Sequence, residues 1–133
     1  MYCTEGLCIK IEKAYFSTPP QRVEIKTERA VAICVKPEAV RHWLQLVQAL
    51  FYAYYWRKPA KNPNISALMY LSQKDQIKDA LEISAVGSRE AICAALGPPE
   101  ELEKVEMPRG EPYTPEGRWD PWEITMFALS LIK

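Results

Sequence analysis

Three short runs of this sequence are apolar on both faces of an extended chain, and they constrain the fold more than any other feature. They are residues 30–35 (AVAICV), 67–71 (ALMYL) and 91–96 (AICAAL). A strand made only of apolar residues must have both faces covered, as happens inside a sheet with helices packed on it. The runs therefore predict three interior strands. The length of 133 residues suits a single domain, 1–133, with its own core.

Two further segments predict half-buried strands. Residues 6–12 (GLCIKIE) and 22–26 (RVEIK) alternate between apolar and polar side chains. That period of two places one set of side chains on the core and the other in water. With the run at 30–35, and with only short breaks between them, these strands predict an antiparallel start to the sheet.

A long helix is predicted between Pro37 and Pro59. Pro37 suits the first turn of a helix, and apolar residues then recur at steps of three and four. They mark one wide apolar face, which comprises Val40, Trp43, Leu44, Val47, Leu50, Phe51 and Tyr54.

Capping residues predict two more helices. Ser72 followed by Asp75 forms a pair like a capping box, and Asp120 followed by Pro121 begins a helix over 121–133. The buried stripe of the first would be Ile77, Ala80 and Leu81. The order of elements predicts an α+β (mixed α/β) fold, in which helices, including the long central helix and a C-terminal helix, pack on a small sheet.

Charge and hydropathy exclude a strong global attraction to nucleic acid or membrane. The formal net charge is zero, so any such contact needs a local patch. No apolar run approaches the roughly 20 residues that span a bilayer. The N-terminal sequence MYCTEGLCIKIEK lacks the charged-then-apolar order of a signal peptide. We therefore expect a cytoplasmic protein without a membrane segment.

The four cysteines are predicted to be free thiols in the core. Cys3, Cys8, Cys34 and Cys93 have no CxxC spacing, and the single histidine, His42, cannot complete a zinc site with them. In apolar strand-like segments a free thiol acts as a small hydrophobic residue. A Cys3–Cys34 or Cys8–Cys34 bridge is an alternative only if the source is a hyperthermophile.

The sequence predicts no catalytic site, cofactor or metal. It contains neither GxxxxGK[ST] nor GxGxxG, so no phosphate-binding loop is indicated. His42 lies on a helix, where histidine usually packs or faces water. Because these catalytic features are missing, the protein is expected not to be an enzyme. The alternative is a small-molecule enzyme, which would require a deep polar pocket.

One stretch, FYAYYWRKPAK, combines aromatic and basic residues at the end of the long helix. Bases stack on aromatic rings while cations meet phosphates, so this pattern suits single-stranded nucleic acid. The candidate RNA-binding residues are Tyr52, Tyr55, Trp56, Arg57, Lys58 and Lys61. In a second interpretation the rings fill core and the cations stabilise the helix end through its dipole, and the sequence alone favours it.

The predicted C-terminal helix is apolar on most sides. Such a helix must be covered on most sides, so it is either central to the fold or meets a partner protein with one face. Candidate partner-binding residues are Ile124, Phe127 and Leu131.

The stretch at 65–86 (ISALMYLSQKDQIKDALEISAV) resembles the strand–helix core of the kinase-binding subunit of the KEOPS complex, the PRPK-binding protein family. The matching steps are Leu71-Ser72, Gln76-Ile77 and Ala80-Leu81. AICAALG then matches the family's next strand, PPEELEKV its acidic helical stretch and ITMFALSLIK its last helix. The resemblance covers about residues 40–104 and the last dozen residues.

The resemblance implies a non-catalytic, regulatory role. KEOPS makes the threonylcarbamoyl-adenosine modification of tRNA, and its transferase and small atypical kinase/ATPase perform the chemistry. The implied subunit binds and stimulates the kinase and recruits tRNA by its single-stranded 3′ CCA end. The alternative is a generic protein-interaction module, or a small single-stranded nucleic-acid-binding module, of similar topology.

Overall fold

The computed structural model describes most of the chain and has an α+β fold, as the sequence predicts. The described residues are 2–4, 6–21, 25, 29–40, 43–56, 60–105 and 110–112. The strands are β1 (Tyr2–Thr4), β2 (Leu7–Tyr15), β3 (Val31–Val35), β4 (Glu90–Gly97) and β5 (Gly110–Pro112). The α-helices are α1 (Trp43–Trp56), α2 (Pro63–Ser72), α3 (Ile77–Ala80) and α4 (Pro99–Leu102), with 3₁₀ turns at Pro37–Ala39 and Leu81–Ile83.

The five strands form one antiparallel sheet with β2 and β4 in its middle. β2 pairs with β4 from Cys8↔Gly97 to Tyr15↔Glu90, and β3 pairs with the other side of β4. The free side of β2 receives two short strands, β1 against residues 7–9 and β5 against residues 12–14. β3 is therefore an edge strand, and its outer side borders α2 and the 81–86 segment.

Side chains from both faces of β3 and β4 are buried. On one face large aliphatic residues such as Ile33 and Ile92 join a cluster with α1 and α2. On the other face the buried strand residues are alanine and cysteine, which join Leu102 and Val105 after β4. The prediction that 30–35 and 91–96 form interior strands is confirmed in this sense, since every residue of β3 and all but the first of β4 are buried.

The predicted strand over 67–71 is wrong, because these residues lie inside α2. Asn62 caps this helix by accepting a hydrogen bond from the Asn64 N–H at 2.9 Å, and Pro63 takes its first position. A short run that is apolar all round fits a buried helix as well as a buried strand. Here alanine, leucine and methionine favour the helix, and α2 is enclosed between α1 and β3.

The predicted start of a helix at Ser72 is also wrong. Ser72 is the last residue of α2, and Gln73 ends it in the left-handed conformation with φ of 60°. A helical segment does follow, but it begins at Ile77, where α3 (Ile77–Ala80) runs directly into the 3₁₀ turn at Leu81–Ile83. Ala80 is buried as predicted, whereas Ile77 and Leu81 are exposed.

The prediction of free cysteines is wrong as well. Cys3 pairs with Cys8, and Cys34 pairs with Cys93, which matches neither bridge considered from the sequence. The reason is the strand register. Cys3 lies opposite Cys8 in β1 and β2, and Cys34 lies opposite Cys93 in β3 and β4, with Cα atoms 4.0 Å apart in both pairs.

Some of the remaining predictions are confirmed, and the others concern residues that lie outside the described ranges. The long helix is confirmed as α1, although Pro37 lies in a separate 3₁₀ turn and not in the first turn of α1, and the acidic stretch PPEELEKV contains α4. Of the predicted strand at 22–26 only Ile25 is described, and its side chain is buried. The predicted C-terminal helix at 121–133 lies outside the described residues.

Candidate nucleic-acid interface

The last two turns of α1 carry five aromatic rings beside its buried stripe. The stripe itself consists of Leu46, Ala49, Leu50 and Ala53, all fully buried. Their spacing of three, one and three residues points one side of α1 at the sheet and α2. The rings at 51, 52, 54, 55 and 56 fall beside or opposite that stripe, so they line the surface around the end of the helix.

Tyr55 and Trp56 are too exposed to be core residues. Tyr55 is 57% exposed and Trp56 is 50% exposed, while Tyr52 is half-buried. The interpretation in which all of these rings fill the core is therefore wrong for Tyr55 and Trp56. Exposed large aromatic rings at one helix end are a surface on which planar groups can stack.

Tyr52, Trp56 and Tyr70 form the aromatic cluster. The rings of Tyr52 and Trp56, four residues apart, are stacked with centroids 4.5 Å apart and an interplanar angle of 27°. Tyr70 of α2 lies 5.9 Å from Tyr52 and 6.5 Å from Trp56, centroid to centroid. Burial raises the pKa of the Tyr70 hydroxyl above its ordinary value.

Tyr55 belongs to a neighbouring group of rings. Its centroid is 4.6 Å from that of Phe51 and 5.3 Å from that of Tyr54, which meets it edge-on. The candidate residues Tyr52 and Trp56 are thus brought together, whereas Tyr55 packs against Phe51 at an interplanar angle of 48°. The Phe51 ring also meets Tyr52 edge-on, with centroids 6.5 Å apart, so the two groups of rings adjoin at the end of α1.

Tyr70 is a candidate that sequence reasoning missed. The sequence analysis placed it in a buried strand, where its ring would have been core. In α2 it instead lies half-buried against the end of α1. The Asn62-Pro63 pair could have indicated a helix over 63–72, but no local pattern shows that Tyr70 meets the end of α1.

Of the three candidate cations, one is described. Lys61 is exposed in the connection between α1 and α2, the two helices that supply the aromatic cluster. Arg57 and Lys58 lie outside the described residues. So do the partner-binding candidates Ile124, Phe127 and Leu131, as well as His42.

The described residues contain neither a candidate metal centre nor a candidate membrane-spanning helix. Within it, no group of three His, Cys, Asp or Glu side chains is arranged to hold a metal ion. None of its helices is long and apolar enough to cross a bilayer. The arrangement at the end of α1 can stack planar groups.

Comparisons of the chain with protein-family models, with curated proteins and with solved structures found no match.

Proposed function

We propose that this protein is a non-catalytic subunit of a KEOPS-type tRNA-modification complex, where it binds RNA through the aromatic cluster. The observation that carries the RNA-binding part is the stack of Tyr52 and Trp56, with Trp56 half exposed at the end of α1. A single-stranded 3′ CCA end has unpaired bases that stack on such rings. Arg57, Lys58 and Lys61 supply the positive charge for its phosphates.

The KEOPS part of the proposal rests on the order of motifs in the sequence. β4 followed by the acidic helix α4 agrees with the expected strand and acidic helical stretch. The segment at 65–72 does not support it, because the family resemblance implies a strand there and this chain has α2. The proposed kinase-binding surface comprises Ile124, Phe127 and Leu131.

A cytoplasmic location is part of the same proposal. Disulfides are rare in the cytosol of mesophiles but common in intracellular proteins of hyperthermophiles. The pairs Cys3–Cys8 and Cys34–Cys93 therefore favour a hyperthermophilic source if the protein works in the cytoplasm.

The RNA-binding part is tested by titrating tRNA against the wild type and a Trp56→Ala variant. Loss of one stacking ring should weaken binding by about 1–3 kcal/mol, or roughly fivefold to a hundredfold. Tyr15→Ala is the matched control. Tyr15 is 53% exposed and lies near a cation, with Lys13 Nζ 5.4 Å from its ring centroid, but it is on β2, away from α1. Equal affinities for wild type and Trp56→Ala would contradict the proposal.

Recognition of the tRNA 3′ end is tested by measuring the binding of a transcript that lacks its CCA tail. The wild type should bind the trimmed tRNA about as weakly as an Arg57→Glu/Lys58→Glu variant binds intact tRNA, because both changes remove one side of the same contact. If trimming leaves the affinity unchanged, the cluster does not hold the 3′ end.

The second candidate function is a generic protein-interaction or single-stranded nucleic-acid-binding module. The same exposed rings favour it, since stacking is tolerant of sequence. A pull-down from the native host separates the two. Recovery of a small kinase and a transferase supports the KEOPS subunit, and binding to any single-stranded RNA without them supports the generic module.

A further inference from the structure

The outer edge of β3 is closed at both ends and open in the middle. At one end the Ala32 N–H donates to Asn64 Oδ1 at 2.9 Å. At the other end the Cys34 carbonyl accepts a hydrogen bond from the Ala85 N–H at 3.0 Å. Because the N–H and C=O groups of one strand residue point to the same side, the Ala32 C=O and the Cys34 N–H also lie on this edge. No described residue bonds to either group.

These two open groups border a groove of about 450 Å³, a volume typical of small-molecule sites. Its walls come from both sides of the sheet. Ile65 and Leu68 belong to α2, which covers one face, whereas Ile25 belongs to the cluster on the other face. A flat ligand that continues the plane of the sheet would therefore lie between aliphatic walls. None of the described residues that line the groove is charged.

The edge is too short for an added peptide strand. Strand addition relies on a row of main-chain hydrogen bonds along several residues. Here the Asn64 side chain and Ala85 already occupy the neighbouring positions, so one acceptor and one donor remain. The Asn64 amide is fixed, because its Nδ2 also donates to the Ile25 carbonyl at 3.3 Å.

We propose that this groove binds a nucleobase, paired through the Ala32 C=O and the Cys34 N–H. A nucleobase is uncharged and flat, and its edge presents a donor next to an acceptor, as adenine does with its amino group and ring nitrogen. The described wall residues, none of which is charged, accept the base and leave a sugar or phosphate outside. The site is separate from the aromatic cluster and does not depend on the proposed function.

The direct test is a titration of adenosine into the ¹⁵N-labelled protein, followed through the main-chain amide signals. The Cys34 amide should shift progressively, because its N–H gains an acceptor. N6,N6-dimethyladenosine lacks the amino donor and should bind about tenfold more weakly. If adenosine leaves the Cys34 amide unshifted at millimolar concentration, or if both nucleosides shift it equally, the proposal is overturned.

Groove-filling variants give a second test. Leu81 lines the groove and is 44% exposed, so Leu81→Trp should block the site and weaken adenosine binding about tenfold or more without opening the core. Ile77→Trp is the matched control, because Ile77 is 45% exposed and is not among the lining residues. Val86→Trp, also at an exposed lining position, repeats the block from another segment. Unchanged binding in both groove variants overturns the proposal.

The base could come from a free nucleoside or from a nucleic-acid strand. Comparing the affinities of adenosine and a short oligoadenylate distinguishes the two. Similar affinities would identify a free nucleoside as the ligand, and a tighter oligoadenylate would identify a base within a strand. A shift of the Cys34 amide by a short uncharged peptide, with none by adenosine, would overturn the proposal in favour of strand addition.

Discussion

The two faces of the sheet are built from different side chains. The face under α1 and α2 has large branched residues, such as Val31, Ile33 and Ile92, which interdigitate with leucines of the helices. On the opposite face the buried strand residues are alanines and the cysteines Cys8, Cys34 and Cys93. The first face is stabilised mainly by burial of large apolar surface. On the second face the small side chains allow neighbouring segments to lie close to the strands, and two disulfides cross-link these strands.

The largest expected effect concerns the cross-link between β3 and β4. The Cys34–Cys93 disulfide spans a sequence separation of 59. The double variant Cys34→Ala/Cys93→Ala should lose roughly 4 kcal/mol of unfolding free energy, because the denatured chain gains conformational entropy when the cross-link is removed. Urea unfolding under oxidising conditions measures this loss.

The matched control is Cys3→Ala/Cys8→Ala, whose bridge spans a separation of only 5 and should contribute roughly 2 kcal/mol. Equal losses in the two double variants would contradict a loop-length explanation of the difference.

Next in size is a cavity on the helix-covered face. Leu50 is fully buried on α1, so Leu50→Ala should lower the unfolding free energy by about 3 kcal/mol, through lost burial and the cavity left behind. Phe51→Ala, at the next position but 44% exposed, should cost under about 1 kcal/mol. Chemical denaturation of both variants checks the pair, and a small loss for Leu50→Ala would mean that α1 is not a main support of this face.

On the face with small side chains, Gly97 lies close to Ala30. Adding a methyl group at Gly97 should therefore lower the unfolding free energy, but by less than the Leu50 cavity does. A Cβ at Gly97 would lie 2.8 Å from the Ala30 Cβ and 3.1 Å from its Cα, so Gly97→Ala should cost about 1–3 kcal/mol by overpacking. Adding Ala30→Gly should recover part of that loss in thermal unfolding. Additive losses in the double variant would show that the two positions do not clash.

The smallest expected effect has the opposite sign. Gln48 on α1 has a buried Oε1 with no hydrogen-bond partner among the described residues, and an unsatisfied acceptor of this kind is destabilising. Gln48→Leu should therefore raise the unfolding free energy by about 1 kcal/mol, because it removes that acceptor and adds apolar burial. Gln45→Leu on the same helix is the control, and a loss of stability in Gln48→Leu alone would indicate that the amide makes a contact in solution.

Part of the candidate interface could be found from the sequence and part could not. The stretch at 51–61 singled out Tyr52, Tyr55 and Trp56 because aromatic residues precede cations there. That Tyr52 and Trp56 stack follows from their spacing of four on a helix. Tyr70 joins them through the packing of α2 on α1, and no local pattern announces such a contact.

By itself the sequence determined the α+β class, the strands at 31–35 and 90–97 and the long helix α1. These elements carry strong local signals, namely short runs apolar on both faces, a period of 3.6 residues, and proline or glycine at their ends.

Tertiary structure alone decided the helix at 63–72, the cysteine partners and the open edge of β3. A short run that is apolar all round is compatible with either a helix or a strand, and its surroundings select one. Disulfide partners depend on strand register, which joins residues as distant in sequence as Cys34 and Cys93. The nucleobase groove depends on Asn64 and Ala85 meeting β3 from two separate segments, an arrangement that exists only once the chain has folded.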